Sequence, residues 1–199
     1  MPPAPSLGPL LAIAALAVAS CSKPAPTPTG RPQLQAGGVA WQILGGTWTK
    51  DGDALVGTGG HIQTVADFTD GTAELTVEQT EPSEQTIGIG FRYSFANNDP
   101  THSTGYALHF SKRGFNVFRG ANNYWQPVNP ELRGFVPSST IEPTRNRFVL
   151  RLSGGTFQID ANGASLFMFT DTTHPHGHID LWVESPTQKV RFSNIRLSP

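Results

Sequence analysis

From residue 47 to the end of the chain, apolar and polar residues alternate in short runs broken by Gly, Asn, Asp and Pro. A period of two marks strands with one buried face. Ala73, Leu75 and Val77 alternate with Glu74, Thr76 and Glu78. Ile87, Ile89, Phe91 and Tyr93 are predicted to point one way, and Gly88, Gly90 and Arg92 the other. Tyr106, Leu108 and Phe110 read as inward with His109 outward, while Phe148, Leu150 and Leu152 share a face. Shorter runs over 47–50, 53–57, 115–119, 156–160 and 165–170 add further strands, with 61–65 as an edge. Asp51-Gly52 and Asn162-Gly163 are hairpin dipeptides, because both tolerate the left-handed backbone such turns need, and Asp70-Gly71 marks another turn.

The last stretch is the most regular. Ile179, Leu181 and Val183 alternate with Asp180, Trp182 and Glu184; Ser185-Pro-Thr-Gln188 supplies a turn; Val190 and Phe192 begin a returning strand. The next apolar pair is Ile195 and Leu197, so the phase slips by one and predicts a β-bulge near Ser193-Asn194. The chain is expected to end in a β-hairpin. No run sustains an apolar period of 3.6, and roughly a dozen short strands give an antiparallel all-β protein. An immunoglobulin-type sandwich takes only about 100 residues, so a double-sheet jelly-roll sandwich fits better. It would bury Ile87, Phe91, Leu108, Phe148, Leu150, Ile179 and Phe192 between its sheets.

Composition changes this picture mainly at the N-terminus. The run from Leu7 to Ser20 is apolar and Ala-rich, too short to span a bilayer, and ends in small residues before Cys21, the single cysteine. This resembles a bacterial lipoprotein signal with cleavage before a lipidated Cys21, although no Lys or Arg precedes the apolar run. Two or more acyl chains would make a stable membrane anchor. Ser22 after the cysteine points, by resemblance to Gram-negative sorting, to the outer membrane of the cell envelope. Ser22-Lys-Pro-Ala-Pro-Thr-Pro-Thr-Gly30 is a semi-stiff Pro-rich tether. The expected organisation is a signal over 1–20, lipidated Cys and tether over 21–37, and a jelly-roll domain over 38–199. A net charge of −1 leaves no basic stripe to displace counterions, which argues against a nucleic-acid partner.

Three motifs together resemble the concanavalin A-like lectin/glucanase superfamily, and within it the 3-keto-disaccharide hydrolase-type domain. They are Trp48-Thr-Lys-Asp-Gly-Asp-Ala-Leu-Val-Gly57; Gly88-Ile-Gly-Phe-Arg92 followed after a loop by Gly105-Tyr106; and Gly177-His-Ile-Asp-Leu181 closing with Val190-Arg-Phe-Ser-Asn-Ile-Arg196. The resemblance implies a glycan bound or cleaved on the outward face of one curved sheet. That face is expected to carry open floor at Gly88 and Gly90 beside Arg92, with His109, Asp180, Trp182 and Glu184. Flat aromatics pack on the C–H face of a sugar, while carboxylates, Arg and amides bind hydroxyls. Trp125, beside Tyr124 in the long Pro-rich segment 121–144, could flank the site or lie in a lid. In the competing reading, Arg92 forms a surface ion pair with Asp180 or Glu184 and Trp182 covers a sheet edge.

Catalysis has less support. Glycoside hydrolysis usually needs two carboxyls about 5–9.5 Å apart. Asp180 and Glu184, like Glu74 and Glu78, are four apart on one strand, roughly 13 Å between Cα atoms. A cross-strand pair such as Glu74 with Asp180 depends on strand order. The Glu-x-Asp-x-x-Glu signature of laminarinase-like glucanases is absent, as is a nucleophile elbow. No cofactor or metal is expected: His174, His176 and His178 read as a polar loop, and Asn97-Asn-Asp99 offers only weak calcium chemistry. Three functions follow in order: an envelope-anchored glycan-binding module, a glycoside hydrolase, and a protein-interaction scaffold.

Overall fold

The computed structural model describes residues 33–99, 101–131 and 134–199. The signal, Cys21 and the Pro-rich stretch 22–30 lie outside the described residues. Strands are numbered in chain order. One sheet has eight, in the spatial order β1 (Gln33–Ala36), β2 (Val39–Ile43), β5 (Gly60–Thr64), β14 (His178–Val183), β7 (Ile87–Phe95), β8 (Ser103–Ser111), β9 (Gly114–Ala121) and β10 (Tyr124–Pro127). The other has seven: β13 (Ala164–Thr170), β12 (Thr156–Ala161), β11 (Arg145–Ser153), β6 (Gly71–Gln79), β15 (Val190–Ser198), β4 (Ala54–Thr58) and β3 (Thr47–Asp51). Neighbouring strands pair antiparallel throughout both sheets. The result is the double-sheet jelly-roll sandwich that the alternation predicts.

The seven predicted core residues are all at most 1% exposed. Ile87, Phe91, Leu108 and Ile179 from one sheet share a single cluster with Phe148, Leu150 and Phe192 from the other. Burying each such side chain contributes roughly 1.5–3 kcal/mol, which favours whichever strand phase turns these residues inward. Asn162 (φ 52°) and Gly163 (φ 86°) make the predicted tight turn between β12 and β13. The slip in β15 is also present: its register shifts between Ser193 and Arg196, with Asn194 at φ 52°.

Three expectations are corrected. The terminal strands do not form a hairpin. β14 pairs with β5 and β7, and β15 with β4 and β6, so the six-residue connection 184–189 arches from one sheet to the other. In a hairpin both apolar faces would lie side by side. As an arch, Ile179, Leu181 and Val183 face the same interior as Val190 and Phe192 from the opposite sheet, and each strand gains two partners. Second, 61–65 is no edge, since β5 lies between β2 and β14. Third, the sandwich begins before Gly38: β1 pairs with β2 and Ala36 is buried in the core.

The feature that positions the functional face is a bulge in β7. Its registers with β8 and β14 both slip around Arg92, which sits at φ 45°. Phe91 stays inward, Arg92 turns inward too, and Tyr93 comes out instead, reversing the predicted assignment of Arg92 and Tyr93. A bulged strand crowds its neighbours, and here both neighbours answer with glycine. A Cβ on Gly105 or on Gly177 would lie 2.5 Å from Arg92 backbone atoms.

Inside, the Arg92 guanidinium is 2% exposed and stands 4.8 Å over the Phe157 ring. It donates to the carbonyls of Thr69 (3.0 Å), His174 (3.2 Å) and Gly154, and to the Asp70 carboxylate (2.7 Å). One side chain thereby ties three connections together at one end of the sandwich. Arg92→Ala would leave three carbonyls without this donor, a loss of about 2–4 kcal/mol. The expected outcome is a matching drop in unfolding free energy in urea, with the outer-face aromatic contacts retained in the folded fraction.

Candidate functional site

With Tyr93 turned outward, the outer face of the eight-stranded sheet gathers aromatics from five strands. Trp182 of β14 lies opposite His61 of β5 and Gly88 of β7, and Gly88 lies opposite His109 of β8. On β10, Trp125 lies opposite Gly120 of β9. The glycines are seats. A Cβ at Gly88 would come within 2.8 Å of the Trp182 ring, and one at Gly120 within 2.5 Å of Trp125. At Gly90 it would meet the Tyr93 ring at 2.7 Å and the Asp180 Cβ at 2.9 Å. The expected bare floor at Gly88 and Gly90 is therefore roofed by rings.

Those rings form a trough. Trp125 stacks on Tyr93 (centroids 5.3 Å, 14° between planes), and His61 stacks on Trp182 (5.7 Å, 14°). His109 packs against Trp182 at 5.0 Å and Phe118 at 4.9 Å. Trp182, Trp125, Tyr93 and the two imidazoles enclose about 170 Å³, with Ser103 and Asn123 as polar lining. That is below the 300–1,000 Å³ typical of a closed small-molecule pocket. It suits one ring docked shallowly, the remainder of the ligand in solvent. Trp125 Nε1 donates to Ser103 Oγ (3.3 Å), which donates to Asn123 Oδ1 (3.1 Å). Asn122 and Asn123, at φ 49° and 64°, form the tight β9–β10 turn that brings Trp125 back over the sheet.

Beneath the trough lies a buried acid. Asp180 is 1% exposed, and its Oδ2 is 2.9 Å from His61 Nδ1. Its Oδ1 has no hydrogen-bond partner. Burial pushes the Asp180 carboxyl up, and the neighbouring His61 pulls it partly back. With Asp180 ionised, Nδ1 carries the proton and the Nε2 of a neutral His61 is left as an acceptor. Burial raises the Tyr93 phenol well above its usual range, with the Asp180 charge adding to it. Burial lowers His109 to about 4, and the nearby His61 adds to that shift.

Of the residues singled out by sequence, the structure brings His109, Trp125 and Trp182 together around the trough and places Asp180 under it. Arg92 is excluded: it lies in the interior and pairs with Asp70, not Asp180 or Glu184. Glu184 is at the far end of β14, where its carboxylate accepts from the Thr86 N–H (2.6 Å) and its own N–H donates to the Thr86 carbonyl. It closes a strand end and is not among the trough residues. Glu74 cannot pair with Asp180 because it projects from the other sheet, where it holds Arg147 (2.8 Å). Among the described residues lining the trough there is no carboxylate.

The three loop histidines diverge: His174 packs on Tyr106, while His176 and His178 face Asp67. Asp99 spends its oxygens on Thr101 and His102, and the Thr101 bonds hold its carboxyl low. Beyond β10 the Pro-rich segment is not a lid. Val128, Val136 and Ile141 pack on the main core, and Val136 bridges Phe115, so the segment seals a flank and leaves the trough open. Sequence reasoning missed His61, Tyr93, Ser103 and Asn123. The Asn122-Asn123 pair was a readable turn signal; Tyr93 was hidden by the bulge.

Larger hollows, of about 420 and 380 Å³, lie on the outer face of the seven-stranded sheet. Ion pairs such as Arg191–Glu78 (3.6 Å), Arg145–Glu78 (3.1 Å) and Arg147–Glu74 line part of their walls, beside Lys189, Glu142 and Arg196. The trough is the hollow lined by aromatic rings.

An antiparallel double-sheet sandwich with an aromatic outer face is the class that these observations define. No protein-family model matches the sequence, and no curated protein sequence matches it significantly. Solved structures do share the fold. The carbohydrate-binding module CBM66 from Bacillus subtilis superposes with a TM-score of 0.61 at 16% identity, covering 83% of this chain and 97% of that one. A proposed glycosyl hydrolase from Parabacteroides distasonis gives 0.55 at 14%, covering 78% and 86%. A Bacillus subtilis protein of unknown function with a galectin-like fold gives 0.50 at 16%, covering 79% and 88%. At these identities the likeness establishes the antiparallel jelly-roll sandwich fold alone.

The geometry of His109 has a pH consequence. A histidine depressed in the folded state leaves the unfolded chain binding more protons between pH 6.5 and about 4, so its contribution to stability falls as pH drops through that window. An NMR titration should place the His109 midpoint near 4, and His109→Gln should flatten that part of the stability–pH slope.

Proposed function

We propose that this chain is a carbohydrate-binding sandwich that docks a sugar in the trough between Trp182, Trp125 and Tyr93. The observation that carries the reading is the open aromatic trough itself. Flat indole faces match the C–H face of a pyranose, with Tyr93 as the buried ring behind Trp125, while Asn123, Ser103 and His61 supply donors and acceptors for hydroxyls. Two fold-mates, one a carbohydrate-binding module and the other a proposed glycosyl hydrolase, support the reading. In the same reading, a lipid on Cys21 holds the domain at the bacterial envelope, outer membrane in preference to inner, with residues 22–30 as spacer.

A second reading, hydrolysis of a 3-keto-disaccharide-type glycoside, is favoured by the His61–Asp180 pair. A buried carboxylate that fixes an imidazole can prepare Nε2 to take a proton from a bound ligand. It needs no carboxylate pair, which the trough lining lacks.

The test is a glycan array probed with the purified chain, followed by mass spectrometry of each bound glycan. Binding without product supports the module; product formation that His61→Ala abolishes supports the hydrolase. Trp182→Ala should weaken binding roughly thirtyfold, about 2 kcal/mol, in a protein that still folds. Full affinity in that variant would remove the trough from the claim. Cys21→Ala should shift the expressed chain from the membrane to the soluble fraction, as read by fractionation and loss of acyl mass.

A further inference from the structure

We propose that the trough selects a sugar carrying a free ammonium group, a hexosamine whose amine is not acylated. This deepens the carbohydrate reading above and rests on it. The inference comes from which charges are present and which are missing. The described lining holds the rings of Trp182 and Trp125, with Tyr93 buried in the stack between Trp125 and His61, and contains no Lys or Arg. Aromatic faces carry the negative side of the ring quadrupole and attract a cation placed over them. Arg92, whose strand position first suggested a basic group here, is turned into the interior and neutralised by Asp70.

Below this cationless lining sits Asp180, with one oxygen on His61 and the other without a donor. A buried carboxylate is poorly screened, so its field reaches the trough above it. His109, on the other side of Trp182, does not oppose a cation, because burial keeps it neutral at ordinary pH. In the empty trough burial disfavours charge on Asp180. An ammonium overhead would favour it, so that ligand binding and ionisation reinforce each other. The polar atoms suit the same guest. An ammonium brings three donors and no acceptor. His61 Nε2, Ser103 Oγ and Asn123 Oδ1 can all accept. A uronate would set its carboxylate against ring faces and a buried acid with no cation to receive it.

The experiment is isothermal titration of the full chain at about pH 6, where an amine of the α-amino type is protonated. The four probes are a β-1,4-glucosamine oligomer, its N-acetylated counterpart, an oligogalacturonate and choline. The expected result is free-amine binding at least about tenfold tighter than acetylated, lost in Trp182→Ala. Asp180→Asn, checked for folding by circular dichroism, should shrink that preference severalfold. If that variant does not fold, the comparison of ligands on the unaltered chain decides. Equal or tighter Trp182-dependent binding of the acetylated or uronate oligomer would overturn the ammonium and leave the carbohydrate reading standing. Binding of choline alone would remove the sugar from both, and silence from every probe and from the glycan array would end both.

Discussion

The bulge at Arg92 sets the phase of β7, and both ends of the molecule's organisation follow from that phase. Left-handed backbone is costly for a residue with a side chain, by roughly 1–2 kcal/mol. Here the guanidinium reaches three carbonyls and a carboxylate that no regular strand position would let it reach. The close approach that the bulge demands is met by Gly105 and Gly177 on the flanking chains. These glycines belong to the short motifs that carry the sequence's resemblance to concanavalin A-like proteins, and their shared location gives those motifs a physical meaning. They accommodate one kinked strand.

On the outer side the same slip delivers Tyr93 to Trp125, and the trough follows. The site is built by seating each bulky ring on a glycine: Trp182 over Gly88 and Trp125 over Gly120 on neighbouring strands, and Tyr93 over Gly90 of its own bulged strand. The polar groups are few and mostly preoriented: Asp180 fixes His61, and Trp125 and Asn123 fix Ser103. In the carbohydrate reading proposed above, such preorientation would keep the cost of ordering side chains on binding low.

The two sheets divide their labour. The outer face of the seven-stranded sheet interleaves Arg145, Arg147 and Arg191 with Glu74 and Glu78, and its charges are spent on each other. The outer face of the eight-stranded sheet stacks its rings on one another around a shallow trough, with Asp180 buried below. Apart from Arg92 at one end, the main core between the sheets is apolar, so each outer face is free to be specialised without disturbing it.

What the sequence determined by itself was local. Alternation at period two identified the strands from β3 onward except β10, and the seven core residues, because the pleat turns every second side chain the same way; β1 and β2 went unread. Asn162-Gly163 and the β15 bulge were readable because turn chemistry and phase slips leave marks within a few residues. His109, Trp125 and Trp182 could be named as outward or loop aromatics on that same ground. Only the tertiary structure decided the rest. The β14–β15 connection reads as a turn whether it closes a hairpin or crosses between sheets, and long-range pairing with β5, β7, β4 and β6 settles which. The bulge in β7 left no such mark, since Arg92 fits the alternation that the folded backbone breaks. His61 reaches Asp180 across 119 residues of chain, a contact made by strand order and invisible to local pattern.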